Sequence, residues 1–210
     1  MPKGLTQRRE RTRARLLEAA LDVFAERGFH GASIENICER AGFTRGAFYS
    51  NFSGKDELFF ALFDASGQQL IAQLRTALDR CRDSPDPLST FISMIDDQGP
   101  EQRRWYLIST EFTLYAIREP NAAAVLAAHD AQLRREAAGV ISELMFITNR
   151  ELIIDTELVT RLATALREGA AAQIYVEPDA AEPRMLARLA FPAMLRTFSQ
   201  PLQRPARSEA

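Results

Sequence analysis

The stretch AGFTRGAFYSNFSGKDELF, residues 41–59, decides how the chain is read. Gly42-Phe43 makes a turn. Thr44 caps a short helix that runs to about Asn51. Just upstream, Ser33 caps another short helix, with Asn36 rather than Glu at the third position and Ile34, Ile37 and Ala41 on its apolar face. Two short helices joined at a glycine turn form a helix-turn-helix pattern. The second helix of such a pair can enter the DNA major groove with its first residues at base edges. Gly46 sits inside that helix, where propensity favours Ala by about 1 kcal/mol, but a missing Cβ lets the backbone approach another surface closely. Thr44 and Arg45 stand at the leading end, and an arginine can pair bidentately with guanine O6 and N7. Tyr49, Ser50 and Asn51 offer hydroxyl and amide groups to phosphate or base, while Phe43 and Phe48 fill the small core between the helices. Ser53 caps a fourth helix, and Lys55 in its first turn can reach a phosphate. By spacing alone, the same residues suit a helical hairpin that binds nothing.

Charge points the same way. Residues 1–55 carry 10 Lys+Arg against 6 Asp+Glu, a balance of +4; the remaining residues carry 16 against 22, a balance of -6. A basic front on an acidic body suggests an anionic partner for the front. Arg8, Arg9, Arg11, Arg13 and Arg15 crowd the start of the first helix, where they suit either DNA backbone and minor groove or plain solvation. The two cysteines are too few for a disulfide framework, and a reduced, cytoplasmic setting is expected. No apolar run reaches about 18 residues, so no membrane span is expected, and the first residues lack the apolar core of a secretory signal.

The rest of the chain reads as helices, with no convincing strand alternation. A first helix carries Leu16, Leu17, Ala20, Leu21 and Phe24 on one stripe and stops at Gly28. Beyond the break RDSPDP at 82–87, helices are expected at about 87–97, 101–118, 121–149, 156–174 and 183–199, the last interrupted by Pro192. The expectation is an all-α fold of about nine helices: a three-helix reader in residues 1–55, a larger helical domain in 56–200, and a polar tail in 201–210.

The order S-I-x-x-I-C-x-x-A-G-F-T-R-G-A-F-Y-S-N-F-x-x-K-x-x-L-F resembles the DNA-binding signature of the TetR family of transcriptional regulators. The resemblance covers about residues 12–62, with Cys38, Phe43, Thr44 and Asn51 as mild departures. It implies phosphate contacts at Ser33, Tyr49 and Lys55, and a groove-facing edge at Thr44, Arg45 and Gly46, with Arg45 as base reader. It also implies a homodimer, a palindromic double-stranded operator, and a repressor released by a small-molecule inducer. A regulator without an inducer, or an activator on the same fold, remains the alternative.

Residues 56–200 offer two sets of candidates for those tasks. Leu158, Leu162, Ala165, Leu166 and Gly169 share one helical stripe; Leu186, Leu189, Ala190 and Ala193 share another. Small residues permit close helix approach, so the two stripes suit a four-helix dimer interface, or equally the chain's own core. Trp105, Ile108, Phe112 and Tyr115 share a face that suits either core or ligand pocket. Glu111 borders that stripe, where a carboxylate needs a partner; His129 or Arg118 is the expected one, or a polar group of a ligand. No catalytic motif and no metal-ligand spacing stands out, so neither an enzyme nor a cofactor or metal site is expected.

Overall fold

The computed structural model describes residues 3–95 and 99–202. Among them are nine helices: α1 (Lys3–Gly31), α2 (Ile34–Ala41), α3 (Arg45–Tyr49), α4 (Lys55–Cys81), α5 (Pro87–Ile95), α6 (Pro100–Arg118), α7 (Pro120–Ile147), α8 (Thr156–Val176) and α9 (Glu182–Thr197). Helix boundaries follow the caps and breakers closely. The Ser33 hydroxyl accepts from the Asn36 N–H while the Asn36 side chain accepts from the Ser33 N–H, so Asn36 completes a capping box. Gly42 closes α2 left-handed at φ 70. The Thr44 hydroxyl caps α3 through the Ala47 N–H. Ser53 departs from expectation: its N–H and hydroxyl both donate to Glu57, and α4 begins two residues later at Lys55. Helix α9 runs through Pro192 without ending.

Packing divides the chain into two compact units. The first comprises Met1–Gln69 with Gln98–His129, the second Leu70–Asp97 with Asp130–Ala210. The division between these units passes through α4 and α7. In the first unit, Leu16, Ala20, Val23 and Phe24 of α1 bury against Ile37, Phe48, Phe59, Ile108 and Phe112. Phe59 lies at its centre, 4.3 Å from the Phe112 ring and 4.8 Å from that of Phe29. Each fully buried ring of this kind contributes about 1.5–3 kcal/mol by leaving water. Helix α6 is thus part of the core that supports the N-terminal helices.

The second unit is built on Leu78, Cys81, Leu144 and Val159, with α9 packed on α8 and α5. It contains one element the sequence did not suggest. Strand β1 (Arg150–Leu152) pairs antiparallel with β2 (Ser199–Pro201), with Glu151 opposite Gln200. Arg150 locks the pair by donating from Nε to the Ser199 hydroxyl and from a terminal nitrogen to the Ser199 carbonyl, each at 2.7 Å. Three residues are too few for alternation to show. No helix among the described residues is long and apolar enough to cross a membrane. Most of the expected tail, from residue 203 onward, lies outside the described residues.

Candidate nucleic-acid interface

Helices α2 and α3 owe their geometry to the caps on either side of Gly42 and to Phe48, which is fully buried and anchors α3. Thr44, Arg45, Gly46, Tyr49 and Ser50 are all exposed, and Gly46 and Ser50, two residues either side of that ring, lie on the far face of the helix. Ser33 is half-buried at the α2 N-terminus. Six of the eight residues expected at a DNA surface thus lie in α3, at its caps or at the α2 N-cap, and none of the six is buried. Two of their hydroxyls already serve as caps, and Ser50 donates to the Gly46 carbonyl at 2.8 Å.

Asn51 does not join them. It is 8% exposed, its amide donates back to the Ala47 carbonyl at 2.8 Å, and its Oδ1 is buried without a partner. It ties the end of α3 to the fold rather than offering an amide outward. Lys55 is also committed inward. Its ammonium donates to the Phe29 and Ala32 carbonyls at 2.7 and 3.0 Å and lies 4.5 Å from the Phe29 ring centre. One of its three N–H groups is left for any phosphate. Lys55→Ala is expected to lower stability by about 1–2 kcal/mol, because two part-buried carbonyls lose a charged donor. Denaturant unfolding checks this, and an unchanged midpoint would show that water replaces the clamp.

Part of the basic arm is structural as well. Arg13 donates to the Asn51 carbonyl at 3.1 Å and lies over Phe52; Arg15 donates to the Ala41 carbonyl at 2.8 Å and lies over Phe43. These two cations satisfy carbonyls at and just beyond the C-terminal ends of α2 and α3, where helix dipoles favour positive charge. Sequence reading grouped them with Arg8, Arg9 and Arg11, which are exposed.

Behind this surface, Gly28 leaves the helical region at φ 72, ψ 166. The Phe29 N–H freed there donates to Glu111 of α6 at 2.8 Å. Neither expected partner of Glu111 holds it: His129 instead sits 2.9 Å from Asp64. Arg104 of α6 also pairs with Asp22 of α1, and Arg40 of α2 pairs with Glu26 at 2.7 Å. Of the expected pocket residues, Ile108 and Phe112 are core side chains, 1% and 2% exposed. Trp105 and Tyr115 are half-buried at the rim of the same core.

In the second unit, Leu158, Leu162, Ala165, Gly169, Leu189 and Ala193 are exposed, and Leu166, Leu186 and Ala190 half-buried. An open groove is lined by Met145, Phe146, Arg150, Ile153 and Thr156. Among the described residues, no cluster of His, Cys, Asp or Glu could hold a metal ion.

A capped helix-turn-helix with exposed polar residues, in a predominantly helical chain, defines a DNA-binding transcriptional regulator. Comparison with known proteins agrees. The family described as "Bacterial regulatory proteins, tetR family" matches residues 16–62. The transcriptional activator FasR of Mycolicibacterium smegmatis is 34% identical over 89 residues, which is 42% of this chain and 41% of that one. The transcriptional regulator UidR of Escherichia coli is 25% identical over 171 residues, covering 81% of this chain and 85% of that one. A TetR transcription regulator from Haloarcula marismortui shares the fold at TM-score 0.69 and 18% identity, over 91% of this chain and all of that one. Residues 16–62 are thus a TetR-family DNA-binding segment, and the chain as a whole is similar to TetR-family transcriptional regulators.

Proposed function

We propose that the chain acts in the cytoplasm as a homodimeric repressor that a small-molecule ligand releases from a palindromic operator. The observation that carries the DNA contact is the bare edge of α3. A Cβ added at Gly46 would meet only the Thr44 hydroxyl, at an ordinary 3.7 Å. Nothing within the chain needs glycine there, so the helix-weakening residue serves an approach from outside. Thr44, Arg45 and Gly46 face the groove, Arg45 reads a guanine, and Ser33, Tyr49 and Ser50 position the phosphate backbone. Lys55 adds at most its remaining N–H. Two copies occupy successive major grooves about 34 Å apart.

The dimer reading draws on α8 and α9. Leu158, Leu162 and Leu189 are 49%, 37% and 65% exposed in the single chain, a placement that favours an outside partner over the chain's own core. Small residues at Ala165, Gly169, Ala190 and Ala193 admit a close twofold helix pairing. Leu189→Asp is expected to weaken dimerisation about tenfold or more, because a charge would sit inside the interface. Sedimentation at several concentrations checks it, and an unaltered dimer would move the interface elsewhere. Leu189 is a cleaner site than half-buried Ala190, where an Asp would also disturb the fold.

For the ligand, Trp105, Tyr115 and His129 are the accessible members of the expected set, with Ile108, Glu111 and Phe112 behind them as fixed support. Bound ligand would favour a geometry with the wrong half-site separation, and a coupling of about 1–3 kcal/mol suffices to lower operator affinity roughly 5- to 150-fold. The deciding experiment is binding to the DNA upstream of the chain's own gene, with and without a panel of small hydrophobic compounds. Specific binding that a compound reverses supports this reading; specific binding that none reverses supports a regulator without an inducer. FasR is named an activator, which favours activation on the same fold as the second reading. A reporter transcript that falls rather than rises when the regulator is deleted would select it.

A further inference from the structure

Arg45 is held from two sides. Its guanidinium lies 2.8 Å from the carboxylate of Glu35, and its Cζ lies 5.9 Å from the centre of the Tyr49 ring. A hydrogen bond with Tyr49 and then the Glu35 charge push the Arg45 pKa up. Glu35 stands in the first turn of α2, so the pair bridges the two helices of the reader. Its carboxyl is held below the usual range by a backbone N–H first and the Arg45 charge second, with a smaller contribution from the Ser33 hydroxyl. Ser33, Arg45 and Tyr49 are all candidate DNA contacts; Glu35 meets Ser33 and Arg45, and Arg45 in turn lies beside Tyr49.

The pair contributes little to the fold, since both side chains are more than half exposed, at 61% and 56%. A carboxylate on a phosphate-facing edge also repels every DNA sequence alike. Its effect must therefore lie elsewhere. A flexible arginine freed from Glu35 would take any nearby phosphate as readily as a guanine. A guanidinium carries five donors in a fixed fork, so one bond to Glu35 leaves donors for O6 and N7 of a guanine.

We propose that Glu35 is a positioning residue for base readout, holding the Arg45 guanidinium across the α2–α3 turn in an orientation that suits a guanine edge and away from the phosphates. This rests on Arg45 reading a base. Removing the carboxylate frees Arg45 for phosphate, so binding to random DNA rises while the preference for guanine falls.

The test uses the full chain. The wild type, Arg45→Ala, Glu35→Gln, Glu35→Ala and the Glu35→Gln/Arg45→Ala double variant are each bound to randomised duplexes, and enriched sequences are counted. Thermal midpoints are recorded alongside. Glu35→Gln is expected to lower discrimination at the Arg45 position about two- to fivefold, the scale of an exposed ion pair. It should also raise affinity for random DNA and steepen the salt slope by about one. In the Arg45→Ala background the same change should leave base preference untouched. If Arg45→Ala itself alters no preference, the base-reading role of Arg45 fails. If Arg45→Ala relaxes one position but Glu35→Gln raises affinity equally for all sequences, the positioning role is overturned and Glu35 is a simple repulsive charge. A lowered midpoint with intact preference overturns it too, as a structural role. Should Glu35→Ala fold poorly, the isosteric Glu35→Gln decides alone.

Discussion

Gly28→Ala is expected to lower stability by about 3 kcal/mol and the melting point by about 6–12 °C. Two costs add. At φ 72, ψ 166 the backbone occupies a region nearly reserved for glycine, and a side chain there costs about 1–3 kcal/mol. The new Cβ would also lie 2.8 Å from both carboxylate oxygens of Glu111. That carboxylate cannot retreat without releasing the Phe29 N–H, which then loses its partner at the kink. Calorimetry of Gly28→Ala, Glu111→Ala and the double variant separates the two. Glu111→Ala removes the clash but not the backbone strain, so the double variant should cost less than the sum of the singles. An unchanged melting point for Gly28→Ala would mean that α1 does not turn at Gly28. The same variants should weaken operator binding, because Lys55 fixes α2 through the Phe29 and Ala32 carbonyls just beyond the kink.

Arg45→Ala is expected to reduce discrimination at one base position by about 1–3 kcal/mol, roughly 5- to 150-fold, while leaving the melting point nearly unchanged. The side chain is 61% exposed and its ion pair is open to solvent, so its loss should not disturb the fold. Selection from randomised duplexes gives the preference directly. Equal loss on all sequences would reassign Arg45 to the phosphates and turn the search for the base reader to Thr44.

Most of the fold was legible because its signals are local. Caps act over three residues, so Ser33 with Asn36 and Thr44 with Ala47 read directly off the chain. Apolar residues at helical spacing marked Leu16, Ala20 and Phe24 as one buried face. Gly28 and Gly42 both stand where a backbone at positive φ is needed. The β1–β2 pairing was not legible, because it joins two three-residue strands 49 residues apart, too short to carry a pattern.

By itself, then, the sequence determined a predominantly helical regulator and the exposed polar residues around Phe48, since helix periods and caps leave α3 one way to bury that ring. Only the tertiary structure decided what each long polar side chain does. Lys55, Arg13 and Arg15 carry the same charge on the sequence page as any DNA-binding cation. Lys55 and Arg13 turn inward, and the exposed Arg15 bends onto the fold, because carbonyls at Phe29, Ala32, Asn51 and Ala41, 23 to 38 residues away, lie within their reach. Glu111 was expected to meet His129, Arg118 or a ligand group, yet the kink at Gly28 presents it with a free N–H 82 residues away. The partner of a flexible charged side chain is set by the nearest unsatisfied group in space, and chain spacing carries no record of that distance.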